Sequence, residues 1–368
     1  MGRGSKVLLG ILVVLVLSVA VLAVALSHNS PCAAAPPLPA GTQSMRAAVH
    51  RCYGSPDVVR IEQVPRPVPT DHQMLVKVRA ASINPLDWHY LSGQPYFMRL
   101  SSGWGTPQDT WTGVDFAGTV EAVGKGVTRF KPGDEVFGGR DGSAAQYLVV
   151  REQGAVALKP PNVTFEQAAA VPVAAITALQ ALRDHGKIRS GQSVLVNGAG
   201  GGVGTFAVEI AKSFGADVTA VTNSANLALV RSIGADHVID YTREDFTRGS
   251  KRYDLILDCS GNHSLSSYRR VLSPAGSYVL VGEAHMGLWI EPLVSAARTL
   301  LVSKLAGQNL TPMLAELNQA DMTQLAELLQ RGSLTPVIDR RYPLDRMPDA
   351  LRYLETGHAR GKIVITIE

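Results

Sequence analysis

Hydrophobic and polar positions follow three patterns along this chain. From Val7 to Leu26 the run is apolar and uncharged, broken only by Gly10 and Ser18, and long enough to cross a bilayer as a helix. Residues Ser27 to Ser44, rich in Ala and Pro, read as an extended spacer. From Met45 to about Ala157 the period is two. Met74–Ala80, Phe116–Val123 and Gln146–Val150 are predicted strands, separated by turn signals such as Lys131-Pro132-Gly133-Asp134. This stretch predicts a compact β-domain. After Pro160-Pro161-Asn162 the character changes. Thr164–Leu182 is Ala-rich and predicted helical, with Thr164 and Gln167 at capping-box spacing.

Strand-like and helix-like segments then alternate: Ser193–Asn197, Val203–Phe214, Asp217–Val221, Ala225–Ile233, His237–Ile239, Asp254–Asp258, Leu265–Leu272 and Ser277–Val281. That rhythm predicts an α/β fold with a parallel, doubly wound sheet. A helix over Gln319–Arg331, a strand near Val337, a helix over Asp345–Glu355 and a closing strand Ile363–Ile367 complete the chain.

Charge sharpens the reading of the first segment. Arg3 and Lys6 precede the apolar run, and no Lys or Arg follows until Arg46. The positive-inside rule predicts a single-pass amino-terminal anchor with the rest of the chain extracytoplasmic. Two alternatives stay open. Ala23-Val24-Ala25 has signal-peptide cleavage spacing, and Met45 would be a natural start for a soluble enzyme.

The 368 residues leave room for two domains. An apolar share of 46%, a charged share of 18% and a formal net charge of +4 suit a globular protein and give no basic stripe for nucleic acid. Cys32, Cys52 and Cys259 are far apart and form no CxxC pair, which argues against a disulfide framework.

Chemistry enters at Ser193–Ser213. A β-prone run meets a loop carrying Gly198, Gly200, Gly201, Gly202 and Gly204, with Val203 between the last two, and a helix-like run follows. Glycines allow a tight strand-to-helix turn and let backbone approach a pyrophosphate, while the helix start offers free N–H groups. Strand, loop and helix together predict dinucleotide binding. The end of the second strand, Thr222-Asn223-Ser224, carries no carboxylate for a ribose 2′-hydroxyl. A 2′-phosphate would meet no repulsion there, so the cofactor reads as NADP(H). Ser224 is the candidate phosphate contact, with an N-cap for the following helix as its other role.

Five stretches in order, Ala81–Asp87, Gly113–Val120, Phe130–Gly138, Gly201–Gly204 and Gly357–Val364, resemble the medium-chain dehydrogenase/reductase superfamily in its zinc-independent quinone-oxidoreductase branch. The resemblance implies a GroES-like β-domain over 45–163, completed by 335–368. It also implies a Rossmann domain over 164–334, with residues 1–44 as anchor and spacer, and a possible homodimer. The anchor is a departure from that family.

Where zinc-dependent relatives carry Cys and Gly-His-Glu, this chain has Asn84 and Gly113-Val114-Asp115, so no metal is expected. Without a Lewis acid, reduction of an activated acceptor is easier to explain than alcohol oxidation. The resemblance places Asn84 and Thr177 near the nicotinamide half, Lys362 near the cofactor with a solvated charge as its alternative, Tyr241 near the adenosine phosphate, and His89 and Tyr96 as catalytic candidates. For His89 a structural role is the alternative, and Tyr96 is offset by one residue from the family pattern. Ser260, Gly261 and Gly282 follow parallel strands where a cofactor crosses the sheet. Trp88, Trp104 and Trp111 are candidates to line a hydrophobic acceptor pocket. The expected function is NADPH-dependent hydride transfer to a quinone or other conjugated carbonyl. An enal or enoyl double-bond reductase and a non-catalytic NADPH-binding protein are the alternatives.

Overall fold

The computed structural model describes residues 3–282 and 287–368. Helix α1 (Arg3–Ser27) is followed by residues 28–43 without regular structure. The strands come in order: β1 (Ser44–Val49), β2 (Arg60–Pro65), β3 (Gln73–Ile83), β4 (Asp115–Val123), β5 (Glu135–Gly139), β6 (Tyr147–Arg151), β7 (Val156–Leu158), β8 (Ser193–Asn197), β9 (Asp217–Thr222), β10 (His237–Asp240), β11 (Tyr253–Asp258), β12 (Leu272–Leu280), β13 (Asn309–Pro312), β14 (Ile338–Pro343) and β15 (Lys362–Thr366). Helix α2 (Pro85–Ser92) leaves the end of β3.

A seven-stranded sheet runs β14-β15-β3-β4-β5-β7, with β6 also paired to β3. The last strand of the chain therefore lies beside β3, with Ile363 opposite Ile83. Alternation in β3 sends Met74, Val76 and Val78 into a core with Phe116, Val136 and Ile365. A six-stranded sheet runs β10-β9-β8-β11-β12-β13, parallel throughout. The strand order reverses between β8 and β11, the switch point at which such sheets bind ligands. Its buried strands are continuous apolar runs, as expected where helices cover both faces. One apolar cluster joins the two sheets: Ala80, Ala117 and Phe137 pack in it with Val194, Val196 and Phe206.

The α/β class with a GroES-like and a Rossmann-type part is as expected. Several expectations are corrected. The helix over Thr164–Leu182 is broken. Thr164 and Gln167 do form the capping box, but the helix stops at Ala169, restarts at Pro172 and ends in a π turn over Ala181–His185. Pro172 lacks the N–H an unbroken helix would need.

The membrane anchor over Val7–Leu26 is also overturned. Among the described residues no helix is long and apolar enough to cross a membrane. The carboxy-terminal end of α1 is docked on protein: Leu26 is buried and its carbonyl accepts from Arg99 Nη1 at 2.8 Å. The expected extracytoplasmic placement falls with the anchor. Cysteine spacing also misled, since Cys32 and Cys52 are joined by a disulfide that closes a sequence separation of 20. Residues distant in sequence meet because the segment after α1 folds back onto the turn after β1.

Candidate active site

The glycine loop joins β8 to the helix Gly202–Ser213 at the switch point. Gly198 has φ +83°, and a Cβ there would lie 2.5 Å from Ser260 Oγ. At Gly204 a Cβ would stand 2.1 Å from the Gly198 carbonyl oxygen, so only glycine lets this helix seat on its strand. Val203 is half-buried against the core, in the first turn of the same helix. Ser260 and Gly261 end β11 in a turn fixed by buried Asp258, which accepts from both backbone N–H groups. Asp258 in turn accepts from Asn197 Nδ2 at 2.8 Å and Tyr278 Oη at 2.8 Å. Gly282 follows β12, its N–H on the Asp258 carbonyl.

The start of β15 abuts this loop. Gly361 N–H donates to the Gly200 carbonyl at 3.0 Å, and a Cβ on Gly202 would meet Lys362 Cδ at 3.4 Å. Lys362 is 2% exposed and runs into the other sheet. Its Nζ donates to Asn84 Oδ1 and pairs with Asp115 Oδ2 at 3.4 Å. Asp115, wholly buried at the start of β4, also accepts from Ser82 Oγ and Asn84 Nδ2 at 2.9 Å each. Its second oxygen takes the Val173 N–H at 2.9 Å. Asn84 is thus clamped from both ends of its amide.

Asp87 accepts from Asn84 N–H at 2.6 Å. Burial pushes its carboxyl up to about 7; the Asn84 N–H opposes this, and the Asp115 charge adds to it. Thr177, half-buried on the helix Pro172–Gln180, donates to the carbonyl of Val173, the residue that caps Asp115. Asn84, Thr177, Lys362 and the glycine loop therefore meet through a single buried polar cluster. Asp115 holds it together, and its only sequence signal was its place in Gly113-Val114-Asp115.

At the other end of the loop the structure departs from expectation. Ser224 does not cap the following helix; Asn223 does, accepting from Asn226 N–H at 3.2 Å. Ser224 Oγ instead donates to Asp240, whose carboxylate also takes Thr242 Oγ1 at 2.7 Å. A carboxylate thus stands beside the region read as uncharged, brought there from the end of β10. Hydrogen bonds from Ser224 and Thr242 hold Asp240 below the usual carboxylate range. Tyr241 is half exposed, with its N–H on the Thr222 carbonyl. Asn226, missed in sequence, is 7% exposed and its Oδ1 has no partner. Its Nδ2 lies 2.6 Å from where a Gly200 Cβ would be. An orphaned buried amide oxygen beside a bare glycine turn fits a loop built to hold a dinucleotide.

His89 lies on α2, which Asn84 caps, and Tyr96 follows that helix. His89 Nδ1 is 2.7 Å from the Gln94 carbonyl, and burial pushes its pKa down. Tyr96 stacks edge-on against Trp289, ring centroids 4.8 Å apart, and its N–H donates to Leu288 at 2.7 Å. Trp289 was not among the tryptophans expected at the pocket. Of those, Trp88 donates to Glu355 at 2.6 Å, Trp104 is 55% exposed and Trp111 lies against Gly142. Among the described residues no group of three or more His, Cys, Asp or Glu side chains could hold a metal ion.

Comparison with known proteins fixes the lineage. Residues 70–160 match the family described as alcohol dehydrogenase GroES-like domain, and residues 233–365 the one described as zinc-binding dehydrogenase. The chain is 36% identical over 336 residues to a 2-methylene-furan-3-one reductase of Solanum lycopersicum, covering 87% of this chain and 79% of that protein. It belongs to the medium-chain dehydrogenase/reductase family, in its quinone-oxidoreductase-like branch. Another family member, an NADPH-dependent alkenal/one oxidoreductase of Arabidopsis thaliana named as chloroplastic, is 34% identical over 342 residues, covering 88% of this chain and 80% of its own length. The solved quinone oxidoreductase from Coxiella burnetii superposes with a TM-score of 0.77 at 29% identity, covering 89% of this chain and 100% of that one. The branch thus includes members named for quinones and members named for conjugated carbonyls.

Proposed function

We propose that this chain is an NADPH-dependent reductase of quinones or other carbonyl-conjugated acceptors, working without zinc. The observation that carries this reading is the contact between the glycine loop and the buried Asn84–Asp115–Lys362 cluster. It supports a dinucleotide cradle that abuts polar groups of the other sheet. Bound NADPH would supply the hydride. The residues that would hold it are Gly198 to Gly204 at the pyrophosphate, Asn84, Thr177 and Lys362 at the nicotinamide half, Ser224 and Tyr241 at the adenosine half, and Ser260, Gly261 and Gly282 along the crossing of the sheet.

The chain's own groups position and protonate. Lys362 and Asp115 fix the Asn84 amide in one orientation. Tyr96 and Trp289 present aromatic edges suited to a flat acceptor. His89 Nε2 and the Tyr96 hydroxyl are the candidate proton sources for the reduced acceptor. Where zinc-dependent relatives have metal ligands, Asn84 and Asp115 satisfy one another. We place the domain boundaries at 45–163 with 335–368 for the β-domain and 164–334 for the Rossmann domain.

The two relatives named for a furanone and for alkenals favour a conjugated carbon–carbon double bond as a second acceptor class. The test is an NADPH-against-NADH titration followed by steady-state turnover with a benzoquinone and with a long-chain 2-enal. Turnover of either with NADPH preferred supports the proposal, and the ratio between them assigns the acceptor. Tight NADPH binding with no turnover of a broad acceptor panel would sink it in favour of a non-catalytic binder.

A further inference from the structure

Arg99 is a fully buried cation whose hydrogen bonds all end on backbone carbonyls. It is 1% exposed. Nε donates to Gly93 at 2.9 Å and Nη2 to Ser92 at 3.0 Å, at the end of α2. Nη1 donates to Leu26 at 2.8 Å and to His28 at 3.0 Å, where the chain leaves α1. The guanidinium carbon lies 4.2 Å from the Tyr53 ring centroid and 4.8 Å from that of Tyr96. One planar fork thus joins three things: the amino-terminal segment, the helix carrying His89, and the Tyr96 ring that packs on Trp289. Lysine, with one point charge, could not reproduce this pattern.

The amino-terminal segment has two further tethers. Ser30 N–H donates to the Gly105 carbonyl at 2.9 Å, and the Cys32–Cys52 disulfide follows. Cys52 is buried beside Tyr53, whose hydroxyl donates to the Gly103 carbonyl at 2.9 Å. Cys32 is exposed, so a reductant can reach its sulfur. The apolar contact of the segment is small: among residues 26–32 only Leu26 is buried. A covalent bond with one reachable end therefore closes a segment otherwise tied by Leu26, two Arg99 hydrogen bonds and one backbone hydrogen bond.

We propose that Leu26–Cys32 is a redox-releasable strap on the acceptor side of the site, with Arg99 as the positioning residue that transmits its state to Tyr96. This rests on the reductase reading above, with Tyr96 facing the acceptor. Release is an ordinary thiol–disulfide exchange with a dithiol reductant. One thiolate of the dithiol attacks Cys32 Sγ, the sulfur–sulfur bond breaks, and the Cys52 thiolate leaves and takes a proton. The second thiol then displaces Cys32 as a thiol, and the dithiol becomes its own disulfide. Two electrons move from the dithiol to the two cysteines. Residues 26–32 gain freedom, two of the four Arg99 hydrogen bonds lose their fixed acceptors, and the Tyr96 ring is no longer backed against Trp289.

The full chain is purified without reductant, and its thiols are alkylated in denaturant and counted by mass. One label, on Cys259, is expected before treatment with dithiothreitol and three after. Dithiothreitol-treated and desalted protein, and Cys32→Ser, are then compared with the oxidised protein at saturating NADPH. The acceptor KM should rise roughly fivefold, about 1 kcal/mol, with the NADPH dissociation constant unchanged. Arg99→Lys should raise the same KM with the bridge intact. Three labels without reductant, or a Cys32→Ser enzyme with the oxidised protein's KM, overturns the proposal. If the oxidised protein itself turns over no acceptor, the reductase reading fails separately. Amide hydrogen exchange over residues 27–32 then decides the strap: faster exchange after reduction supports release, and unchanged exchange refutes it.

Discussion

At the residue scale, Asp115 and Lys362 are the most consequential pair. Both are buried, so removing one leaves an uncompensated charge in a dry site, which costs about 3–5 kcal/mol. Asp115→Asn should therefore lower stability and also free Asn84 to rotate. Acceptor kcat/KM should fall roughly 100-fold. The double variant Asp115→Asn with Lys362→Met removes both charges and should recover most of the stability but none of the turnover. Denaturation midpoints and kcat/KM on the three proteins separate packing from positioning. If the double variant regains turnover along with stability, the cluster is structural only.

Cofactor choice is also decided by single residues. The Asp240 carboxylate sits on Ser224 and stays ionised, so it would oppose a 2′-phosphate placed there. Asp240→Asn should raise the preference for NADPH over NADH by roughly fivefold, the range of an exposed charge interaction. Dissociation constants for both cofactors check this. A shift toward NADH would mean that Ser224 and Asp240 do not face the phosphate.

At the scale of elements, the helix Gly202–Ser213 carries a strained partner. Glu209 is 8% exposed, one oxygen takes the Thr335 N–H at 3.0 Å, and the other has no partner. Burial pushes its carboxyl from 4.5 up to about 8, against the pull of that N–H. The folded state therefore holds a proton that the unfolded state gives up. The associated stability is complete below about 4.5 and is lost as pH rises to about 8. Glu209→Gln keeps the acceptor for Thr335 and removes the titration. Urea unfolding across that window should fall with pH for the parent and stay flatter for the variant. At pH 8 the variant should be the more stable by about 2 kcal/mol. Parallel curves would show that Glu209 is hydrated in solution.

The elements themselves were largely legible in the sequence. The strand–loop–helix at Ser193–Ser213 and the capping box at Thr164 and Gln167 rest on local rules of backbone and turn chemistry. What was illegible came from distance along the chain. Asp240 reaches Ser224 only because β10 lies beside β9, and Lys362 reaches Asn84 only because β15 lies beside β3. Cys32 meets Cys52 because the segment after α1 folds back, beside the Arg99 hydrogen bond to Leu26. The apolar run Val7–Leu26 misled because hydropathy reports what a segment avoids and not what holds its end.

At the scale of the whole molecule, the final strand ties the two parts together beside the apolar cluster they share. Gly361 bonds to the cradle, Lys362 enters the buried cluster, Ile363 and Ile365 pack into the β-domain core, and Val364 packs in the cluster that joins the two sheets. Anything that binds the cradle therefore stabilises both parts, because β15 and the shared apolar cluster couple them. Binding only to the folded state adds about 2.7 kcal/mol at 100 times the dissociation constant. NADPH at that level should raise the midpoint of a single thermal transition by a few degrees. Asp115→Asn removes one tie of the cradle to the β-domain and leaves the Gly361–Gly200 hydrogen bond and the shared apolar cluster in place. Its melt should stay a single transition at a lower midpoint, still raised by NADPH. Calorimetry of both proteins with and without NADPH reads this directly. A parent that melts in two steps, only one of them moved by NADPH, would show that β15 does not couple the two parts.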